Sequence, residues 1–511
     1  MADPTNRDVD TPSRPNPLWM MILAPLSTLT LTLTAASTVQ LYAELVCRVD
    51  GPKTLVFASA PTQCASATSA FIAVLTSATG ITTFLTVAWW GSFSDRHGRT
   101  RVLAVTAFGH LLSTLNNIFV AKFVERIPGG YWFLLLNSVV MGLVGGEIAS
   151  ESAALFAYMG DLSTPETRSR LFSLASGFAV VGVAVGPLLG SFIVRFSNNV
   201  LWVFYVAAML RLIQMCIFAF VLPESLTRAE MDAAMARMRE ESLQSEERTI
   251  LSRLRRAFFF LQPLAVLWPE KISKDSANGV AKRDWNLLIL TVGNGLMLLA
   301  SSSLTSQFLY ALSTFRWDAE YLGYCISSLG ASRGIFLILI LPVVIKYFKD
   351  TRTADTSETE PLLAEEDAQR PLPAHSSLFD LALARVSILI DMVTFAILPF
   401  APTGSVFTLF IMLGSFGYGL QAAVNSVALA LYAAKVGPGK PLETGKLFGA
   451  MSVLQAVFAN VLGPFMYGAV YAKTVATFPT ALFFVALGNT VVAFVLFAFV
   501  RLPPARRIEL E

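Results

Sequence analysis

From Ala65 to Trp90 this chain carries no Asp, Glu, Lys or Arg, and from Val102 to Ala121 again none. Each run reaches the ~20 residues that cross the hydrocarbon core of a bilayer. Chain that enters hydrocarbon must satisfy its backbone polar groups internally, so both runs are expected as helices. Gly91-Ser92-Phe93-Ser94-Asp95-Arg96-His97-Gly98-Arg99 lies between them and has to be a tight polar hairpin at one membrane face. Its glycines permit turns that other residues resist. Asp95 is placed to cap and counter-charge the start of the next helix.

Only 14% of the residues are charged, against ~25% in soluble domains, so an integral membrane protein is expected. Twelve spans are legible, roughly 18–43, 65–90, 102–121, 131–158, 170–194, 200–222, 285–310, 320–348, 379–400, 405–434, 446–471 and 479–500. They divide into an N-terminal bundle (18–222) and a C-terminal bundle (285–500) around a hydrophilic loop, 223–284. Tails of 1–17 and 501–511 flank them, and a polar insert covers about 349–378. With the N-terminus inside, inside segments hold 28 Lys and Arg and outside loops 7, so both termini are expected in the cytoplasm. No cleavable signal is evident, because the apolar run after Pro17 is too long for a signal-peptide core.

A net charge of +3 gives no case for a nucleic-acid partner. The three histidines, His97, His110 and His375, are scattered, so no metal site and no cofactor are expected. Cys216 and Cys325 fall inside spans as packing residues. Cys47 and Cys64 share the first outside loop, where a disulfide is expected. In the central loop Ala229–Arg256 should form a charged amphipathic helix, with Arg253-Leu254-Arg255-Arg256 and Phe258–Phe260 meeting a membrane surface or solvent. Glu358-Thr359-Glu360-Pro361-Leu362-Leu363 is similar to an acidic dileucine sorting signal.

Gly91, Asp95, Arg96, Gly98 and Arg99, with Leu103 beyond, resemble the loop 2–3 signature of the major facilitator superfamily, with Phe93 in place of Leu and Thr100 where a second basic residue is common. The resemblance implies an all-α membrane fold of two six-helix bundles related by a pseudo-two-fold axis, with this hairpin as a conformational latch. A repeat within the chain agrees: Arg170-Leu171-Phe172 before Gly186-Pro187 is echoed by Lys446-Leu447-Phe448 before Gly463-Pro464. Repeated halves with a site between them near mid-membrane are a common transporter build. The stretch after the eighth span, Pro342–Lys349, lacks the glycine–aspartate frame. Gly182-Val183-Ala184-Val185-Gly186-Pro187-Leu188-Leu189-Gly190 resembles the superfamily's antiporter signature. Physically, Gly182, Gly186 and Gly190 make a stripe that admits a neighbouring helix, and Pro187 favours a bend.

Charges inside spans are costly and default to function. Glu147 and Glu151, four residues apart in the fourth span, would share a helix face about 6 Å apart at Cβ and cannot both ionise cheaply. They are read as proton-coupling residues, or else as structural partners of the mid-span Arg211 or Arg333. The Arg common in this span of proton antiporters is absent: its place is Ser138, and a frequent Gln is Met141. Asp391 is read as structural, paired with Arg333 or Arg385. The resemblance makes the first, fourth, seventh and tenth spans line the pore. Substrate contacts are then expected from Thr30, Thr34 and Thr38, from Asn294, Ser301 and Thr305, and from Tyr418, Gln421 and Asn425.

No ATP-binding run and no catalytic constellation occurs, so an enzyme is not expected. The reading is a monomeric secondary transporter of a small organic solute in membrane lipid, coupled to protons and exporting by alternating access. The plasma membrane is favoured over a vacuolar or endosomal one. A proton-coupled importer of an organic anion or nutrient is the alternative, because the cysteine-flanked first loop and Trp89-Trp90-Gly91 resemble the proton-coupled folate transporter branch. A non-transporting membrane sensor is the other.

Overall fold

The computed structural model describes residues 18–50, 62–145, 149–162, 165–244, 264, 266–269, 283–345, 374–436 and 444–502. Eleven helical stretches there, from Ile22–Val49 to Ala481–Phe499, are long and apolar enough to cross a membrane, and the shorter Gly130–Leu143 stands at the fourth position. The N-terminal bundle comprises α1 (Leu18–Thr32), α2 (Ala35–Asp50), α3 (Thr62–His97), α4 (Arg99–Phe123), α5 (Leu135–Leu143), α6 (Ala149–Leu162), α7 (Pro165–Ser197) and α8 (Leu201–Cys216). A linker helix, α9 (Arg228–Gln244), packs against α3. The C-terminal bundle comprises α10 (Asn286–Ser301), α11 (Leu304–Thr314), α12 (Ala319–Ile335), α13 (Ala374–Ile397), α14 (Gly404–Leu413), α15 (Leu420–Val436), α16 (Thr444–Gln455), α17 (Gly463–Thr474) and α18 (Ala481–Phe499).

The surplus of helices over spans has a pattern. The first, fourth, seventh and tenth spans are each broken: between α1 and α2, α5 and α6, α10 and α11, and α14 and α15. The eleventh instead passes from α16 to α17 through a π-helical stretch, Ala456–Leu462. The second, third, fifth, ninth and twelfth run as single α-helices. Broken backbone at membrane depth is tolerated where protein or a water-filled cavity receives it. Side-chain hydrogen bonds to neighbouring spans lie beside two of the breaks. Thr32 Oγ1 donates to the Gly182 carbonyl at 3.1 Å, and Trp90 Nε1 donates to the Leu143 carbonyl, just before the fourth-span break, at 2.7 Å.

The two faces of the molecule differ. Cys47 and Cys64, in the end of α2 and the start of α3, are bonded with their Cα atoms 5.3 Å apart; they mark the disulfide face. The opposite, hairpin face carries Gly98. The bundles meet along α3 with α17 and α7 with α12, and the hydrogen bonds of this seam lie in its half toward the disulfide face. Ser66 Oγ donates to the Ala472 carbonyl (2.6 Å), Ser69 Oγ to Gly468 (3.0 Å) and Ser77 Oγ to Val461 (3.3 Å). On the other side Ser191 Oγ donates to Glu320 (2.9 Å), Ser327 Oγ to Ala184, and the Ala319 amide to Gln40 Oε1. Below Gly80 on α3, which faces Asn460, no hydrogen bond joins the bundles among the described residues. The hydrogen bonds that join the bundles among the described residues are therefore gathered toward the disulfide face.

Candidate transport site

The polar stretch at the hairpin face is more helical than its composition suggests. α3 continues to His97 and α4 starts at Arg99, so the expected loop is one residue, Gly98, at φ 103°. At 36 residues α3 is about 54 Å long, well over the ~30 Å hydrocarbon core, so its last turns clear the membrane while still helical. The start of α4 is not capped by Asp95. Glu224, just after the sixth span, takes the Arg99 amide at 2.8 Å, the Thr100 amide at 3.1 Å and the Thr100 hydroxyl at 2.7 Å. A carboxylate at a helix N-terminus answers both the orphan amides and the dipole. A Cβ on residue 98 would lie 2.3 Å from Glu224 Oε2, so Gly98 serves both the turn and the approach. Asp95 instead meets Arg99 Nη1 at 2.6 Å. Arg99 also donates to Asp161 at 3.1 Å, and Ser225 Oγ reaches the same oxygen at 2.9 Å. The ends of the second, third, fourth and sixth spans are thus tied together. Arg96 donates to the Ser92 carbonyl at 2.8 Å, and Gly91 has open space around it.

Inside the N-terminal bundle lies a closed polar cluster. Glu151 on α6 is 6% exposed. Its carboxylate accepts from Gln214 Nε2 at 2.8 Å, with His110 Nε2 at 3.4 Å and Arg211 Nη1 at 4.0 Å. Gln214 is itself held: Nε2 donates to Ser27 Oγ (2.8 Å), while Oε1 accepts from Thr30 (3.0 Å) and Arg211 (3.1 Å). The first, third, fourth and sixth spans all contribute. Arg211 is the charged partner of Glu151; Arg333 is in the other bundle. Thr30 is spent on Gln214, away from any solute. Glu147 lies outside the described residues.

The C-terminal bundle carries its charges differently. Arg333 on α12 places its guanidinium over the Tyr418 ring, 4.6 Å from the centroid, a cation–π contact. Its Nε is buried without a hydrogen-bond partner. Asp391 on α13 lies against the turn before α15, where a Cβ on Gly417 would sit 2.9 Å from its Oδ1. It acts on Arg333 through space, with no nitrogen–oxygen contact within 4.0 Å among the described residues. Arg385 does not pair with Asp391: it donates to the carbonyls of Phe497, Ala498 and Val500, closing the end of α18.

Tyr418 is 51% exposed, and Gln421 beyond it is exposed and donates to Asn425 Oδ1 at 3.1 Å. Asn294 on α10 is buried, with Oδ1 unpartnered. Ser301 is exposed at the seventh-span break and donates to the Leu298 carbonyl at 2.8 Å. Thr34 forms the first-span break, its carbonyl accepting from the Thr38 amide at 2.7 Å.

The glycine stripe faces the first span. A Cβ on Gly182 would lie 2.0 Å from Thr28 Oγ1, on Gly186 2.2 Å from Thr32 Oγ1, and on Gly190 2.4 Å from the Leu33 carbonyl. α7 runs unbroken through Pro187, whose carbonyl accepts from Ser191 at 2.9 Å. A cavity of about 300 Å³ at the disulfide face, lined by Gln40, Glu44, Arg48, Asn198 and Asn199 among others, sits within the N-terminal bundle.

Sequence reading missed His110, Gln214, Asp161 and Glu224. His110 was the one ionisable group in its uncharged run, and Asp161 and Glu224 each stand where an apolar run ends; those were the available signals.

Two six-helix bundles, with polar breaks in four spans and charges at membrane depth, define a multi-pass secondary transporter. The chain belongs to the major facilitator superfamily, whose model matches residues 18–354. It is 21% identical over 430 residues to an uncharacterized membrane protein of Saccharomyces cerevisiae, covering 81% of this chain and 72% of that one. A class C tetracycline resistance protein of Escherichia coli is 29% identical over 142 residues, 28% of this chain and 32% of its own. Among solved structures, the human organic anion transporter MFSD10 superposes with a TM-score of 0.57 at 17% identity, covering 95% of this chain and 100% of that one.

Proposed function

We propose that this transporter exports a small organic solute in exchange for protons, with Glu151 as the proton-binding group and Glu147, four residues earlier, as a second acceptor. The observation that carries this reading is the Glu151 cluster itself: a carboxylate 6% exposed, shared between His110, Arg211 and Gln214. Ionisable groups at membrane depth are expensive to keep and mark ion paths. A proton arriving at Glu151 or His110 changes which of them balances Arg211, and that shift acts on the first, third, fourth and sixth spans together.

Alternating access follows from the seam. With the inter-bundle hydrogen bonds gathered toward the disulfide face, this state is read as exchanging solute at the hairpin side, which the excess of Lys and Arg assigns to the cytoplasm. Such a state loads an exporter and unloads an importer, so the direction is read from the flux measurement below. The tetracycline resistance protein's name fits export, since removing a toxic solute gives resistance.

The test is flux of a solute panel from proteoliposomes under imposed pH gradients of either sign. Wild type should move at least one solute against its gradient when protons flow the opposite way. Glu151→Gln should still exchange solute in counterflow but no longer respond to the pH gradient. Unchanged gradient-driven transport in a Glu147→Gln/Glu151→Gln double variant would remove the reading.

A further inference from the structure

Among the described residues Arg333 makes no hydrogen bond and no salt bridge. A guanidinium offers five N–H donors in a fixed fork, and at membrane depth an unsatisfied polar group is expensive. Two ordinary explanations fail. Were Arg333 a structural counter-ion, Asp391 would touch it; instead that carboxylate is packed against Gly417, beyond salt-bridge distance. Were it a helix-end clamp like Arg385, it would hold backbone carbonyls, and it holds none. The Tyr418 ring takes one face of the guanidinium, while the residue as a whole stays partly accessible.

The surroundings say what the fork faces. Tyr418, Gln421 and Asn425 share one side of the tenth span, and Tyr418 and Gln421 are exposed, whereas Ala423, Val424, Val427 and Ala428 are buried. An exposed Gln at this depth belongs to a watered cavity rather than to lipid. Arg333 therefore stands behind an aromatic ring at the polar wall of the C-terminal bundle, its Nε unpartnered.

We infer that Arg333, held over Tyr418, is the docking point for a carboxylate on the transported solute, so that the solutes are organic anions with an apolar or aromatic body. Planar carboxylates match the guanidinium fork in a bidentate pair. Asp391, a neighbouring carboxyl group packed against Gly417 and beyond salt-bridge distance, would compete with such an anion only from a distance. This deepens the transport reading above and rests on it for the word "transported"; the docking itself is measured by binding alone.

Indole-3-acetate with indole-3-acetamide, and benzoate with benzamide, are the probes, each pair nearly equal in shape and differing in charge. Equilibrium binding to purified full-length protein in nanodiscs is the measurement. At least one carboxylate should bind, with its amide at least tenfold weaker. Arg333→Gln should abolish carboxylate binding and leave amide binding unchanged. Arg333→Lys, which keeps the charge but not the fork, should weaken the carboxylate about tenfold and serves where the Gln variant does not fold. Asp391→Asn should tighten it severalfold. No binding by either carboxylate, equal binding of acid and amide, or full-affinity carboxylate binding in the Lys or Gln variant would each overturn the inference. Carboxylate binding that persists while pH-driven flux is absent would defeat the export reading alone. Intact flux of uncharged solutes without carboxylate binding would defeat only this one.

Discussion

Each bundle keeps an arginine inside a span, Arg211 buried and Arg333 partly accessible, and the two treat it in opposite ways. Arg211 is 3% exposed and sits in a network where Glu151, Gln214, His110, Ser27 and Thr30 answer one another. Arg333 leans on a ring with its Nε unanswered, and its carboxylate neighbour faces elsewhere. A satisfied polar network rigidifies, and a partly satisfied one is costly. Among the described residues, Arg211 thus has its partners in hand, whereas Arg333 leaves its Nε unanswered.

That contrast can be broken most sharply by removing each arginine. Arg211→Met strands the Glu151 carboxylate in the bundle interior, and losing one partner of a buried pair costs about 3–5 kcal/mol; SDS-unfolding titrations in mixed micelles should show a loss of that order. Arg333→Met, by the same measurement, should be neutral or slightly stabilising, because an apolar group replaces one whose hydrogen bonds are unmade. Equal losses in the two variants would erase the distinction.

Next in size is Gly98→Ala. Its φ of 103° and the 2.3 Å approach of Glu224 leave no room for a methyl, and such backbone strain costs about 1–3 kcal/mol. Glu224→Gln keeps the shape but weakens the charged cap, worth about 0.3–1 kcal/mol. Both should appear in the same titration, the first clearly larger. The C-terminal bundle has no counterpart of this tie in sequence, so a glycine or acidic substitution after the eighth span should have no such effect.

How far the molecule could be read from its residues also differs by region. Twelve apolar segments in two sets of six were legible because hydrocarbon imposes length and composition on each span separately. The breaks were not. Leu33-Thr34 and Ser302-Ser303 carry no proline or glycine, and what permits them is a distant partner such as Gly182 or the neighbouring helices. The Gly98 corner shows the same limit. Its charged residues were visible, but Glu224 lies 125 residues from Arg99, and no local pattern links them. Asp95 was the nearest acid in sequence and was given the wrong task. In the tenth span, period and polarity identified Tyr418, Gln421 and Asn425 as one face; the stacking of Arg333 behind it required the fold.

The smallest expected effect concerns the seam. Ser69→Ala deletes one hydroxyl contact across the bundles, worth about 0.5–1.5 kcal/mol, and should shift the population toward opening at the disulfide face. Ser191→Ala, whose hydroxyl has a second acceptor in its own helix, should shift it less. Maleimide labelling of a cysteine placed at Ala472 would read this as faster modification.

Ser191 also shows why such contacts suit a moving part. Its hydroxyl stands 2.9 Å from the Glu320 carbonyl in the opposite bundle and 2.9 Å from the Pro187 carbonyl in its own helix. When the halves swing apart the proton merely changes host, and no dipole is stranded in oil. At this one point the bond count is the same shut as ajar, so Ser191 leaves the setting to follow whatever cargo and protons dictate.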